Sequence, residues 1–540
     1  MSTAVVAPLL VALVTAVLTL ALGRYPRLQR RASVAGALAY AVTVGGAVWA
    51  TVLGPSAPGA AAYQVGDWPA PFGITLVLDG LSAFMLTIAG ALALAAALFS
   101  VRYVTPENQR VYYHPLFHLL FVGVTGAFLT GDLFNLFVWF EVMLVVSYVF
   151  VAFYGTDRAT AASFRYLVLN VFGSALMLVA VGGLYATTGT LNMADMARRL
   201  ADPAAFGVDP APVVGLSALL LAVFALKAGL VPFQFWVPDA YAAAPPPVTA
   251  VFAGVTKKVG IYAVVRLYFT VFAAAPVAVD LPGVGGTTPL AFLAPVLAAM
   301  GVASIAVGGF GAVGHGRLEG TFAYSSVGQV GFIALPVAVA AAADPVAGDP
   351  TESLRGVAIA AALVFALHHA LVKGLLFLAT AAVEDATGTD ELSDLGGLAG
   401  HAPVLAGATF VGLLSLVGLP PLTGFFGKLL TVDAAVRGLA VGPERLSAAA
   451  LAALLGGAVL TILYATRVWV GGFWGVRTPA VERGGTDLGQ VAVLVALALA
   501  VVAVGVGFDP VYRFAEAAAA AAVDTEAYVD LVDPTGGGSA

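Results

Sequence analysis

The sequence predicts an all-α polytopic membrane protein with about 14 transmembrane helices. Of its 540 residues, 61% are hydrophobic and only 10% are charged, whereas soluble domains carry about 25% charged residues. Long apolar runs recur along the chain, and none shows the period-two alternation of a membrane β-barrel. This composition excludes a water-soluble globule.

Each predicted span is an apolar run of about 20 residues, the length that crosses a bilayer as a helix. Their limits are 4–22, 33–54, 74–100, 114–130, 133–153, 162–188, 213–235, 246–274, 289–312, 320–343, 355–383, 403–435, 446–473 and 488–508. The fourth and fifth spans are divided only by Thr130-Gly131-Asp132. The first run is not expected to be a cleaved signal peptide, because its arginines follow the apolar segment.

The arginines predict the orientation of the chain. With the N-terminus outside, eleven arginines fall on the cytoplasmic side, six on the opposite side and two within helices. Positive charge favours cytoplasmic loops, so both termini are expected outside, although Arg198 and Arg199 oppose this bias. The longest polar connections are 192–212, 384–401 and the tail from Asp509, too short for a soluble domain, and the end at 535–539 is expected to be disordered.

Composition also restricts cofactors and partners. The absence of cysteine excludes disulfides, thiolate metal sites and iron–sulfur ligation. The net charge is −6 and no basic block exists, so nucleic acid is not an expected partner. His114 and His118 have i, i+4 spacing, but no third metal ligand accompanies them, and an interfacial location is favoured over a metal. We expect no cofactor and no metal.

The chain contains five lysines against 19 arginines. Each lies in or beside a long apolar run: Lys227, Lys257, Lys258, Lys373 and Lys428. A preference for arginine in GC-rich genomes is one explanation of the scarcity, but it does not explain this placement. A charged side chain at mid-bilayer costs roughly 2.5–3.5 kcal/mol, so these groups must be paired, hydrated or neutral. Glu141, central in the apolar run 133–144, is the obvious counter-charge.

These residue types fit proton movement. Burial favours the neutral amine of a lysine, whereas a nearby carboxylate favours the ammonium, so a Glu–Lys pair can switch between holding and releasing a proton. Arginine stays charged and cannot do this. His369 and Lys373 stand at i and i+4 on one helix face, and histidine relays protons near neutral pH. The pair therefore predicts an intermediate proton station, with a packed polar contact as the alternative.

Other polar groups in the spans have less specific interpretations. The hydroxyls of 324–326 could order water or serve helix packing. Asp132 and Asp239 lie at helix ends, where capping and a water funnel are equally compatible with the sequence. His368 is expected to point away from its neighbour and to be incidental.

Two predicted helices carry interruptions. Lys227 precedes Pro232 in the seventh, and Pro420 and Pro421 precede Lys428 in the twelfth. Proline removes a backbone donor, and such a break inside a membrane is tolerated where protein or a water-filled cavity satisfies the freed groups. Interruptions at corresponding places in two halves indicate a transport site. Their separation by five helices fits two stacked five-helix repeats, with simple packing kinks as the alternative.

Six motifs resemble the D-type subunits of the multisubunit Mrp/Mnh-type Na⁺/H⁺ antiporters. They are GDLFNLFVWFEV (131–142), LKAGLVPFQFWVPDAY (226–241), KVGIYAVVR (258–266), AYSSVGQVG (323–331), HALVKGLLFL (369–378) and GLPPLTGFFGK (418–428). The similarity covers about residues 74–470. Together the motifs are specific for a wider superfamily that includes the proton-pumping antiporter-like subunits of respiratory complex I, and less specific for the branch.

The resemblance implies inverted five-helix repeats at 114–274 and 289–473, preceded by a three-helix segment at 1–113 and followed by a C-terminal helix and acidic tail at 474–540. It also implies broken seventh and twelfth helices and a proton route. The route comprises a Glu141–Lys227 pair, stations at Lys258 and at His369 with Lys373, and an exit at Lys428. Two departures stand out: Glu319-Gly320 replaces the usual Lys-Arg, and Lys257, which has no assigned role, replaces a usual threonine.

The resemblance implies a proton-translocating, non-enzymatic subunit of a hetero-oligomeric cation (Na⁺)/H⁺ antiporter in the plasma membrane. A proton-pumping subunit of a complex I-type NADH or ferredoxin:quinone oxidoreductase is the alternative. An accessory subunit for bicarbonate uptake, or a scaffold, is a third possibility that Glu141, Lys227 and Lys428 speak against. No acidic cluster resembling a Na⁺ site is evident, so the cation is expected to pass elsewhere in the complex.

Overall fold

The computed structural model describes residues 2–109, 112–281, 284–344 and 352–533. The predicted disordered end at 535–539 and Arg110 of the orientation argument lie outside these residues. The described chain is almost entirely helical, which confirms the predicted all-α class.

The helices of the first half precede two short paired strands at 279–281 and 284–286. They are α1 Ser2–Ala21, α2 Pro26–Val48, α3 Gly80–Tyr103, α4 Pro106–Gln109, α5 Tyr113–Leu129, α6 Leu133–Val151, α7 Asp157–Thr188, α8 Met193–Ala201, α9 Pro203–Phe206, α10 Pro212–Ala228, α11 Trp236–Ala243, α12 Pro246–Val251 and α13 Lys257–Val265. Wider π-helical turns at Phe252–Thr256 and Arg266–Val271, followed by a short 3₁₀ turn, make Pro246–Ala274 one continuous span.

The second half of the chain is also mainly helical. Its helices are α14 Leu290–Gly314, α15 Leu318–Ala342, α16 Leu354–Thr387, α17 Leu398–His401, α18 Pro403–Val417, α19 Thr423–Val441, α20 Glu444–Val468, α21 Pro479–Glu482, α22 Leu488–Val506, α23 Phe508–Val523 and α24 Thr525–Val532. Two antiparallel strand pairs are also present: β1 Ala61–Gln64 with β2 Thr75–Leu78, and β3 Val279–Leu281 with β4 Val284–Gly286. Short 3₁₀ and π-helical turns lie between several of the helices.

Eleven helical segments in the described ranges are long and apolar enough to cross a membrane. Three shorter apolar helices, α5, α10 and α18, occupy the predicted fourth, seventh and twelfth spans. All fourteen predicted segments therefore contain an apolar helix. The number of complete crossings stays a prediction, because these three are individually short.

The protein core is formed by the spans Pro246–Ala274, Leu318–Ala342 and Leu354–Thr387, which are at least 94% buried over their most apolar stretch. Outer helices instead expose large apolar side chains, as α7 does with Phe164 and Phe172. An apolar exterior is the surface that contacts lipid or neighbouring membrane subunits. Three of the five lysines lie on the core spans, away from this exterior.

Two predicted boundaries are wrong. The third span was expected from residue 74, but 75–78 form β2 and the helix begins at Gly80, because Asp79 and Ser82 form a reciprocal capping box. The tail from Asp509 was counted among the polar connections, yet it contains α23 and α24. The reason lies in alanine, the strongest helix former: the alanine-rich run of α23 buries one face against α3.

Matching backbone bridges occur in the two halves. The link before α6 pairs Asp132 with Asn192, and the link before α15 pairs Arg317 with Glu391. Each bridge is flanked by two backbone hydrogen bonds of 2.8–3.0 Å. The start of α6 is thereby tied to the link that follows α7, and the start of α15 is tied to the link that follows α16.

Candidate functional site

The seventh helix is interrupted where the prolines predict. Helix α10 ends at Ala228, and Gly229 adopts φ +69°, a conformation that glycine tolerates best. The freed backbone finds partners in the protein: the Val231 N–H donates to Ser304 Oγ at 2.9 Å, and Trp236 Nε1 donates to the Leu226 carbonyl at 2.9 Å. Neighbouring side chains therefore satisfy the break, as a membrane interior requires.

The twelfth helix breaks in the same way. Helix α18 ends at Val417, Gly418 adopts φ +96°, and α19 begins at Thr423. Lys428 Nζ donates to the Val417 carbonyl at 2.8 Å. Lys227 likewise lies in the last turn of α10. Each break thus places a lysine near the carbonyl end of a half-helix, where the helix dipole favours a cation.

Glu141 and Lys227 come close to the same small cavity but do not form a direct ion pair. Half-buried Glu141 accepts a hydrogen bond from Ser174 Oγ of α7, and buried Lys227 donates to the Tyr166 hydroxyl at 3.4 Å. Within the described residues, no nitrogen–oxygen distance of 4.0 Å or less joins Glu141 to Lys227.

The cavity is lined by Ser174, Lys227 and Asn170 among others, and offers about 10 Å³ to the centre of a water molecule. That is close to the space one water occupies. Glu141 and Lys227 are therefore separated by the Ser174 hydroxyl and by a space about the size of one water molecule. The positions of the two residues in the sequence do not show this separation.

Lys258 and His369 are in direct contact. Lys258 Nζ lies 2.5 Å from His369 Nδ1 and donates to the Ala253 carbonyl at 2.7 Å. Both side chains are fully buried. The eighth and eleventh helices therefore bring together two groups that are 111 residues apart and can both exchange protons.

Lys373 faces a different partner from His369, although both lie on α16. Its Nζ donates to Ser325 Oγ at 2.7 Å and to the Phe322 carbonyl at 3.1 Å. Ser325 in turn donates to the Tyr464 hydroxyl at 2.8 Å. One member of the 324–326 hydroxyl group thus contacts a lysine and extends its hydrogen bonds to α20.

His368 does not have the incidental position expected from the sequence. It is fully buried, and its Nδ1 lies 3.1 Å from Thr423 Oγ1 and 3.4 Å from Ser415 Oγ. Thr423 begins the second half of the broken twelfth helix. The signal available in the sequence was the hydroxyl on each side of the Gly-Leu-Pro-Pro break, which offered partners to a histidine of the preceding span.

The remaining predicted candidates are structural in the described part of the chain. His114 and His118 both contact Ser33 Oγ, at 3.0 and 2.9 Å, and are buried within the protein. Three or more potential metal-ligating side chains nowhere converge among the described residues. The contacts made by these two histidines fasten α5 to α2.

The two helix-end aspartates have different environments. Asp132 accepts from the Asn135 N–H at 2.6 Å and caps α6. Asp239 does not cap a helix; it lies within α11 and forms an exposed ion pair with Arg165 at 3.0 Å. This pair links α7 to the second half of the broken seventh helix.

A buried ion pair was not predicted from the sequence. Arg266 donates to both carboxylate oxygens of Asp79, at 2.7 and 2.6 Å, and both side chains are almost fully buried. The guanidinium also lies 4.9 Å from the Tyr528 ring of α24. Arg266 was a visible signal, because an arginine inside an apolar span requires a counter-charge.

Charged side chains of both signs come together at one rim of the bundle. Glu319, Glu384 and Asp385 line a cavity of about 430 Å³ together with Arg158 and Arg317. The arginines share the lining, so this is a mixed-charge vestibule. Its residues come from links and helix ends that the sequence separates by more than 200 positions, which is why no local pattern indicated it.

These features define a class: a polytopic helical membrane protein whose core carries two broken helices and a series of buried ionisable groups. Comparison with known proteins agrees with this class. Residues 130–441 match the family described as NADH:quinone oxidoreductase/Mrp antiporter, TM. The chain is 33% identical over 475 residues to the D-type subunit of the Na⁺/H⁺ antiporter of Alkalihalophilus pseudofirmus, covering 88% of each protein.

Two further proteins extend the comparison. The N-type subunit of the NADH-quinone oxidoreductase of Desulforudis audaxviator is 38% identical over 371 residues, covering 68% of this chain and 67% of that protein. A chain of the Mrp complex from Dietzia sp. DQ12-45-1b superposes with a TM-score of 0.81 at 29% identity, covering 98% of this chain and 100% of its own. This chain belongs to the NADH:quinone oxidoreductase/Mrp antiporter family, which confirms the resemblance seen in its motifs.

Proposed function

We propose that this chain is the proton-translocating subunit of a multisubunit monovalent cation (Na⁺)/H⁺ antiporter. The observation that carries the proposal is the direct contact between Lys258 and His369 in the buried core, 2.5 Å apart. Two adjacent groups that both bind protons compete for them in a medium of low dielectric constant. Such a pair passes a proton onward more readily than it retains two.

The proposed route crosses the core in steps. Glu141 is the first group, and Ser174 with the adjoining water-sized cavity connects it to Lys227. Lys258 and His369 form the middle of the route, Lys373 with Ser325 continues it, and Lys428 at the twelfth-helix break is the exit. Each lysine moves a proton by alternating between ammonium and neutral amine, which arginine cannot do.

We further propose how the chain sits in the membrane. The matching bridges at Asp132–Asn192 and Arg317–Glu391 support inverted repeats at 114–274 and 289–473, flanked by the segments 1–113 and 474–540. The apolar segments and the arginine bias support fourteen crossings with both termini outside. The bacterial relatives support a plasma-membrane location. In this orientation the mixed-charge vestibule opens to the cytoplasm.

The subunit works with partners in this proposal and is not itself an enzyme. The antiporter relative is named as a subunit, and the superposed chain belongs to a complex. The exposed apolar side chains of α7, such as Phe164 and Phe172, supply a surface for lipid or other membrane subunits. The cation is expected to pass through a neighbouring subunit, with H⁺ passing through this one.

The test is cation-driven proton flux in proteoliposomes that contain the whole complex. Glu141→Ala, Lys227→Ala and Lys428→Ala are each expected to abolish most of the flux at normal assembly. Arg513→Ala, which removes one member of an exposed ion pair on α23, is the matched control and is expected to retain flux. Normal flux in all three route variants would refute the proposed route.

Membership of a redox-driven pump is the second candidate, favoured by the 38% identity to the N-type subunit of an NADH-quinone oxidoreductase. The same groups would then move protons in response to quinone reduction. Purification of the native complex separates the two functions: copurifying hydrophilic flavin or iron–sulfur subunits support the redox assembly. Purely membrane-embedded partners and cation-dependent flux support the antiporter.

A further inference from the structure

Lys257 is a fully buried lysine at the break of the seventh helix, and it is not one of the six route residues. In the described part of the chain, its Nζ has no hydrogen-bond partner. A Cβ built on Gly229 would lie 3.1 Å from this nitrogen. The amine therefore reaches the backbone at the point where α10 ends.

The position is held by close helix packing. Helix α13 approaches α10 so tightly that a Cβ on Gly260 would lie 2.5 Å from the Phe224 carbonyl oxygen. The side chain of Lys257 therefore has little freedom to turn away from the break. The carbonyl end of α10 carries roughly half a negative charge, which favours an ammonium there without neutralising it fully.

Several titratable groups surround Lys257 and influence whether its amine holds a proton. Lys258 is its neighbour on the same helix, and Lys373 and His369 of α16 are close enough to interact electrostatically with it. The Tyr241 ring of α11 lies 5.6 Å from Nζ, and the Tyr241 hydroxyl has no described partner. Nearby cations disfavour one another, so a proton arriving at Lys257 promotes the release of a proton from its neighbours.

A line of aromatic rings connects this position to Lys227. Tyr166, which contacts Lys227, lies 4.7 Å from Trp236 between ring centroids, and Trp236 lies 6.2 Å from Tyr241. The Tyr241 ring in turn faces Lys257, so the aromatic rings lead from Lys227 to Lys257. In the described structure, no hydrogen bond joins Lys227 directly to Lys258.

We propose that Lys257 is an additional proton-binding residue of this chain, between Lys227 and Lys258, and this inference rests on the proposed function. In the transfer, one N–H bond of the Lys257 ammonium breaks and its electron pair stays on nitrogen. The proton passes to the neutral Lys258 amine, where a new N–H bond forms. Total charge is conserved.

A packing or charge-positioning role is the competing explanation, and three substitutions separate it from proton binding. Lys257→Met keeps length without charge, Lys257→Thr introduces the residue usual in the resembling family, and Lys257→Arg keeps a charge that cannot be released. Ile261→Met, on the same helix, is the control for altered packing and is expected to retain flux.

The measurement is cation-driven proton flux of the reconstituted complex as a function of pH. Lys257→Met and Lys257→Arg are expected to lower flux about tenfold and to shift the pH profile by about half a unit or more. Lys257→Thr is expected to behave like Lys257→Met and decides the matter if the methionine variant does not assemble. Normal flux and an unchanged profile in an assembled neutral variant, or rescue by arginine, would overturn the inference.

Two variants of route residues distinguish a failure of the Lys257 assignment from a failure of the proposed function. If Lys227→Ala and Lys258→Ala also retain normal flux, the proposed route itself fails. If those two lose flux while the Lys257 variants remain normal, only the assignment of Lys257 fails. A loss in both sets, with the Ile261→Met control normal, supports both.

Discussion

Lys258 Nζ and His369 Nδ1 lie 2.5 Å apart at the centre of the bundle, joining the eighth helix to the eleventh. Neither residue has a carboxylate as its hydrogen-bond partner in the described structure. Two titratable nitrogens in direct contact share protons as a coupled pair, so that each one's occupancy depends on the other. A change to either residue is therefore expected to alter proton binding at both.

His369→Ala is expected to slow cation-driven proton flux and to shift its pH profile, because Lys258 then loses the group with which it exchanges protons. His401→Ala, which alters a histidine bonded to the Gly484 carbonyl in a link, is expected to leave both unchanged. Proteoliposome flux measured on both sides of neutral pH, from about pH 6 to about pH 9, provides the test. A pH profile identical to the unmodified complex would remove His369 from the route.

Ser174→Ala is expected to lower flux roughly two- to tenfold, the equivalent of one hydrogen bond, because Glu141 loses its donor. Thr187→Ala is the matched control, since Thr187 is on the same helix and donates only to the Gly183 carbonyl of its own turn. Flux is compared at equal amounts of assembled complex. An equal effect of the two substitutions would assign Ser174 a purely structural role.

Thr423→Val is expected to reduce flux roughly two- to tenfold by removing the hydroxyl that His368 contacts at the twelfth-helix break. Thr431→Val is the matched control, because it removes a hydroxyl of the same helix that donates to the Lys428 carbonyl in its own turn. Flux and assembly are measured for both variants. Full activity of Thr423→Val would show that the polar contact of His368 at this break is dispensable.

Arg266→Ala is expected to destabilise the protein by about 3–5 kcal/mol, because Asp79 is left as an uncompensated buried charge. Removing both partners is expected to cost less than the sum of the single changes. Arg513→Ala, in an exposed pair with Asp509, is expected to cost no more than about 1 kcal/mol. Unfolding in detergent, followed by helical signal, measures all of these; strict additivity would contradict the proposed coupling.

The sequence predicted those features that depend on local composition. Apolar length located every span, and Pro232, Pro420 and Pro421 located both helix breaks. The predicted ends of the spans were less accurate where a side chain caps the helix, as Asp79 does at the start of α3. Local pattern therefore accounts for the architecture of the bundle, although the repeat layout and the number of complete crossings stay predictions.

The partners of the buried charges depend on tertiary packing and were not predicted. Ser174 and Tyr166 lie on α7, a helix whose serines and tyrosines look like ordinary packing residues. Arg266 finds Asp79 at a separation of 187 residues. An isolated charge in an apolar span indicates that a partner exists, but the partner's identity is determined by which helices meet in space.

Protons are proposed to cross this subunit through lysines that alternate between charged and neutral forms. Lys227→Arg tests this mechanism most directly, because arginine keeps the charge at the seventh-helix break but cannot release a proton. Cation-driven proton flux of the reconstituted complex carrying Lys227→Arg is predicted to be lost at every pH while assembly is preserved. Flux equal to that of the unmodified complex would contradict the mechanism.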